Sequence, residues 1–207
     1  MFFPWLEAQT RKTVEGFDEW AKRVKGLNER SKAKDWDGVI KEGSEIRDIY
    51  PDYVEAGSVY EFLADAYLAK EDKAGAVREL EKYSSAGGRN PATLKRLATL
   101  ESEAGKKKEA AAALERLNLI YLGDEAAHQK LGDLQMDLGN PALAIREFQT
   151  VVASKPVDRA QAHYQLARAL LAAKRTEDAR EEVYNALEAA PNFRPAQRML
   201  LELGENK

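Results

Sequence analysis

Histidine is the scarcest reactive side chain in this sequence: His128 and His163 are the only two, and cysteine is absent. An imidazole can act as general base, nucleophile or metal ligand. Each role calls for partners at set spacing, as in the HExxH of zinc peptidases. Neither histidine has such neighbours, and no GxSxG, GxGxxG or phosphate loop (GxxxxGK followed by Ser or Thr) occurs anywhere in the chain. Without cysteine there is neither a disulfide framework nor a thiolate metal site. Carboxylate pairs such as Glu181-Glu182 belong to charged helix faces, as expected where 32% of residues are charged. The reactive side chains therefore predict no catalytic residue, no metal and no cofactor, and the histidines read as packing groups at equivalent places in a repeating pattern.

The elements that position them are clearest from Glu125 to Asp158, EAAHQKLGDLQMDLGNPALAIREFQTVVASKPVD. Leu131, Gly132 and Gln135 fall at helical spacing, as do Ala144, Phe148 and Val151. Leu138-Gly139-Asn140-Pro141 breaks the two helices, with Asn140 as the expected N-cap and Pro141 at the first helical position, and Pro156 closes the unit. A step of 34 residues back carries Leu131 to Leu97, Gly139 to Gly105, Ala144 to Ala110 and Phe148 to Leu114, and a second such step reaches Leu63, Ala76 and Leu80. Forward the step is 35, taking His128 to His163, Leu131 to Leu166, Ala144 to Ala179 and Pro156 to Pro191, with the extra residue placed around Val157-Asp158-Arg159.

Leu-Gly, then Gly, then Ala-x-x-x-Phe-x-x-Val, then Pro resembles the tetratricopeptide repeat (TPR). The resemblance implies an all-α, right-handed TPR superhelix, a solenoid of antiparallel helix pairs. The repeat units are expected at 57–90, 91–124, 125–158 and 160–193. Residues 1–56 hold N-terminal helices and a degenerate first repeat, and 194–207 a C-terminal capping helix and tail covering the last apolar face. In the N-terminal part a helix from Trp5 to about Glu15 and a second after Gly16-Phe17 are expected, then one opening at Asp35-Trp36-Asp37 in which Gly43 replaces the residue equivalent to Phe148. Ser58-x-x-Glu61 reads as a capping box, Asn90-Pro91 as a cap like Asn140-Pro141, and Thr176 as the cap of the last repeat's second helix.

Net charge is −3, from 32 Lys+Arg against 35 Asp+Glu, so no basic excess marks a nucleic-acid binder. Lys106-Lys107-Lys108 is shorter than the usual basic signal and reads as a solvated turn. Met1-Phe2-Phe3-Pro4-Trp5-Leu6 is too short for the apolar core of a signal peptide, and no stretch approaches the ~20 apolar residues of a membrane span. The chain reads as soluble, and the lack of cysteine suits cytosol and periplasm alike.

Fold does not fix function. The family resemblance implies a concave groove, lined by the first helices of successive repeats, that binds a peptide or a partner's helix. The lining positions carry over to Glu61, Asp65 and Leu68, then Lys95, Thr99 and Ser102, then Gln129, Asp133 and Met136, then Tyr164, Arg168 and Leu171. Of these Glu61, Asp65, Lys95, Thr99, Gln129, Asp133, Tyr164 and Arg168 are the expected binding residues, for a protein or peptide of unknown identity. The Lys–Asn clamp for a terminal carboxylate is not matched, since Thr99 follows Lys95 and Glu61 and Asp65 add like charge. The order WLEAQT, YPDYVEAGS, GGRNP, KKKEAAAALERLNLIY and RPAQRMLLEL also resembles the C-terminal repeats of some bacterial zinc-peptidase-like proteins, which implies a non-catalytic appendage. Homo-oligomerisation through Phe2, Phe3, Trp5 and Trp20 is a third expectation.

Overall fold

The computed structural model describes residues 4–205, with side chains over 13–204. Among these residues there are eleven helices and no strand: α1 (Pro4–Lys32), α2 (Trp36–Arg47), α3 (Val59–Ala69), α4 (Lys73–Ser85), α5 (Pro91–Glu103), α6 (Lys107–Ile120), α7 (Glu125–Asp137), α8 (Pro141–Ala153), α9 (Arg159–Ala172), α10 (Thr176–Ala189) and α11 (Arg194–Glu205). Within the units, α1 packs on α2, α3 on α4, α7 on α8 and α9 on α10, the antiparallel pairs of a TPR fold. The chain divides into two compact units, residues 1–100 and 101–207.

The turns inside the hairpins share one device. Gly105 and Gly139 lie at φ +75°, in the left-handed region, and the repeat spacing carries them to Glu71 (φ 62°) and Lys174 (φ 61°). Lys34 (φ 59°) plays the same part before α2. A reversal this tight needs one residue with positive φ, which glycine adopts freely and a side chain only at a cost.

In the unit of residues 1–100, Trp20, Leu27, Ile46, Val59 and Leu63 form the core joining α1, α2 and α3. The Trp20 indole donates to the Ile46 carbonyl at 2.9 Å and meets the Tyr50 and Tyr53 rings edge-on at 5.2 and 4.7 Å. Trp20 is thus a buried core residue, not the exposed aromatic expected for oligomerisation, while Phe2, Phe3 and the Trp5 side chain lie outside the described residues. Helix α1 is one uninterrupted helix where two were expected. A single glycine such as Gly16 costs a helix about 1 kcal/mol without ending it, and packing against α2 and α3 holds this one together. Gly43 has its own reason: a Cβ there would stand 2.9 Å from the Leu63 side chain, so the bare backbone is what lets α3 close on α2.

In the unit of residues 101–207, Ala144, Ile145, Phe148, Leu166, Ala169, Leu170 and Ala179 form one core. Ala167, Val183, Ala186, Ala196, Met199 and Leu203 form the next, so α11 covers the apolar face of the last hairpin as a cap. Helix starts depart from expectation in two places. Asn140 stands at the N-cap of α8 but its amide donates to Gln135 Oε1 at 3.0 Å instead of capping, whereas Asn90 Oδ1 does accept from Ala92 N–H at 3.0 Å. Thr176 is the first residue of α10, and Arg175 holds the cap position with its guanidinium on Asp178 at 2.6 Å.

Candidate functional site

The expected lining residues fall on first helices: Glu61 and Asp65 on α3, Lys95 and Thr99 on α5, Gln129 and Asp133 on α7, Tyr164 and Arg168 on α9. In the unit of residues 1–100 the acidic pair is engaged within the chain. Glu61 Oε2 accepts from the Gly57 and Ser58 N–H groups at 2.7 and 3.2 Å, the reaching-back half of the expected capping box. Its Oε1 accepts from Asn90 at 2.8 Å and from the Thr93 hydroxyl, tying α3 to α5. Asp65 pairs with Arg96 across the same two helices. Lys95 and Thr99 are exposed, and the Thr99 hydroxyl donates to the Lys95 carbonyl at 2.9 Å. Thr93 and Arg96, which the sequence reading passed over, are the α5 residues that meet α3.

In the unit of residues 101–207 the pattern changes. At the places of Arg96 stand Lys130 and Gln165. Asp133 is half-buried, and its hydrogen-bond donor is the Gln129 amide at 3.4 Å. Burial pushes the Asp133 carboxyl above its ordinary range, against the lowering pull of the Gln129 hydrogen bond and the Arg168 charge. Arg168 is exposed and donates to Gln165 Oε1 at 2.6 Å. Tyr164 is partly committed to structure: its ring meets Phe193 edge-on at 5.6 Å beside the α11 core. This face therefore holds a poorly solvated carboxylate, a neighbouring guanidinium and an amide, with an aromatic wall.

The histidines do more than pack. His128 Nδ1 lies 2.7 Å from Glu147 Oε2, and His163 Nδ1 lies 2.6 Å from Glu182 Oε2, each glutamate 19 residues further on. The shared spacing was the signal in the sequence. Glu147 is buried at 3% exposure and also accepts from Asn118 at 3.3 Å and from Arg146 at 2.9 Å. The repeat spacing carries Glu147 to Glu79, which is buried too and takes Arg47 at 2.8 Å.

Among the described residues no group of three or more His, Cys, Asp or Glu is placed to hold a metal ion, and no helix is long and apolar enough to cross a membrane. Residues 130–195 match the family model described as tetratricopeptide repeat. No curated protein matches the sequence. Among solved structures, the chain resembles YrrB, described as a TPR protein with an unusual peptide-binding site, at TM-score 0.62 and 19% identity over 92% of this chain and 96% of that one. It resembles MamA (residue 41 to the end) from Desulfovibrio magneticus RS-1 at TM-score 0.57 and 19% identity, over 71% of this chain and 82% of that one. A third likeness is to the first TPR of Spaghetti (RPAP3) bound to the HSP90 peptide SRMEEVD, at TM-score 0.50 and 19% identity over 56% of this chain and 90% of that one. At these identities the likeness is one of fold.

Proposed function

From the premise that this is a chain of tetratricopeptide repeats, we propose a protein-interaction scaffold that takes a peptide or a partner's helix on the first-helix face of its repeats. The repeat units are those at 57–90, 91–124, 125–158 and 160–193, behind residues 1–56 and before 194–207. The solved structures of like fold include a protein described as having a peptide-binding site and another bound to a peptide, which supports the class of partner.

The observation that carries the reading is Asp133. A half-buried carboxylate with one long hydrogen bond is costly to keep charged, and such groups concentrate at binding and catalytic sites. Beside it Arg168 offers an exposed planar donor, and Gln129 an amide. A partner that brings a cation to Asp133 and an acceptor to Arg168 relieves both. Glu61 and Asp65 serve the face by fixing α3 against α5, on which Lys95 and Thr99 are exposed.

The test is selection from a random peptide library on the whole chain, followed by affinity measurement with Asp133→Asn and Arg168→Ala. Selected peptides should lose at least tenfold in affinity with either substitution, on the scale of one lost charged contact. Peptides whose binding ignores both substitutions contradict the assignment.

A further inference from the structure

His128 and His163 each line a hollow at the connection from a second helix to the next first helix, about 420 Å³ at His128 and about 440 Å³ at His163. The two share three repeat positions: Asn118, Leu122 and His128 in one become Val152, Pro156 and His163 in the other, while the hollow at His128 also extends over Leu143, Arg146 and Glu147 of α8. Their chemistry differs. At His128 the chain supplies an oxygen itself, the Leu122 carbonyl 3.1 Å from Nε2. At His163 the connection carries Pro156 and one extra residue, and Nε2 has no partner among the described residues.

The hollow at His163 is also the cationic one. Lys155 and Arg159 line it, both exposed, and neither has an ion-pair partner among the described residues. Its counterpart carries Tyr121 and the acidic Asp124-Glu125 at these places. The floor is Val152, Pro156 and Ala162. The nearby Asp158 carboxylate is engaged in capping α9, accepting from Gln161 N–H at 2.9 Å.

We propose that this hollow is a second binding site, separate from the first-helix face, for an acidic side chain within a peptide segment. A carboxylate oxygen takes the place that the Leu122 carbonyl fills at His128 and receives an N–H from His163 Nε2. Glu182 Oε2 stands 2.6 Å from the opposite ring nitrogen and orients the ring, as a carboxylate partner does for a metal-bound histidine. Lys155 and Arg159 supply the charge, and Arg159 can meet the carboxylate with two parallel donors. The apolar floor takes an aliphatic side chain adjoining the acid. Inorganic phosphate shares the charge but leaves that floor uncovered, so the site favours an acidic–aliphatic peptide.

The test is an amide-resonance titration of the full chain, at low salt to limit screening, with the end-blocked peptide Ac-Ala-Leu-Glu-Glu-Leu-Ala-NH2. Its Gln analogue and inorganic phosphate are the comparison probes. The acidic peptide should perturb residues 152–163, and the Gln analogue should not. The paired substitutions Lys155→Gln and Arg159→Gln should weaken binding roughly tenfold or more, while Arg168→Ala leaves it unchanged. Perturbation centred on Asp133 and Arg168 assigns the peptide to the first-helix face and overturns this site without touching the other reading. Equal binding of the Gln analogue or of phosphate, or no perturbation at millimolar peptide, overturns it as well.

Discussion

Gly132 lies against the ring of Phe148: a Cβ built on this glycine would stand 2.5 Å from the ring carbon Cε1. The two residues sit on α7 and α8, and Phe148 is 1% exposed. Absence of a side chain on one helix is thus what lets the other bury its largest one. Phe148→Ala should cost roughly 3–5 kcal/mol, and Gly132→Ala about 1–3 kcal/mol as overpacking outweighs the better helix propensity of alanine. Combining them should cost less than the sum, because the alanine methyl enters the space the ring leaves. Urea unfolding of the three variants checks this. Strict additivity would mean that the two residues do not share a site.

The turn at Lys174 gives a prediction of opposite sign. Its φ of 61° lies in the left-handed region that Gly105 and Gly139 occupy at +75° in the equivalent turns. Lys174→Gly should stabilise the chain by up to about 1 kcal/mol, the relief of left-handed strain less the added entropy of the unfolded glycine. A loss of stability in the same urea experiment would refute the turn geometry.

The repeated histidine–glutamate pairs differ in depth. The Glu147 side chain is 5% exposed and Glu182 20%. Removing Glu147 leaves the buried His128 and Asn118 without their carboxylate, so Glu147→Ala should cost about 3–5 kcal/mol. Glu182→Ala, with one partner and more water, should cost distinctly less. Equal costs would contradict the difference in burial.

Asp133 supplies a pH signature. Its carboxyl is raised by burial above the ordinary 3.8, so the folded chain holds that proton more tightly than the unfolded chain does. Its contribution to stability is therefore full below pH 3.8 and is lost as pH rises through the higher folded value. Asp133→Asn should stabilise the chain at pH 7, with the advantage fading as pH falls towards 3.8. Denaturant titration across that range checks the sign, and a difference that does not vary with pH would contradict it.

The fold was legible in the sequence because repetition amplifies a weak signal. Leu131, Gly139, Ala144 and Phe148 say little singly, and much when Leu97, Gly105, Ala110 and Leu114 stand one period away. What resisted reading was conformation without a distinctive residue type. Glu71 and Lys174 occupy turns that only Gly105 and Gly139 advertise, and α1 runs through Gly16 because tertiary packing outweighs one poor helix former. The expected lining residues fall on α3, α5, α7 and α9. Their partners were not foreseen, since Asp65 finding Arg96 and Tyr164 finding Phe193 depend on contacts about thirty residues away. Those contacts decide the choice of probes. Tyr164→Ala should cost stability, and Arg180 is a poor control for the face because it donates to the Leu203 carbonyl at 3.1 Å and to Glu177. Exposed Glu181 on α10 serves instead.

The most direct measurement is the affinity of one library-selected peptide for the whole chain, with Arg168→Ala and Glu181→Ala beside wild type. A scaffold that binds on its first-helix face predicts a loss of about 2 kcal/mol, roughly thirtyfold, for Arg168→Ala, with an unchanged unfolding midpoint and no effect of Glu181→Ala. Wild-type affinity in Arg168→Ala would contradict it.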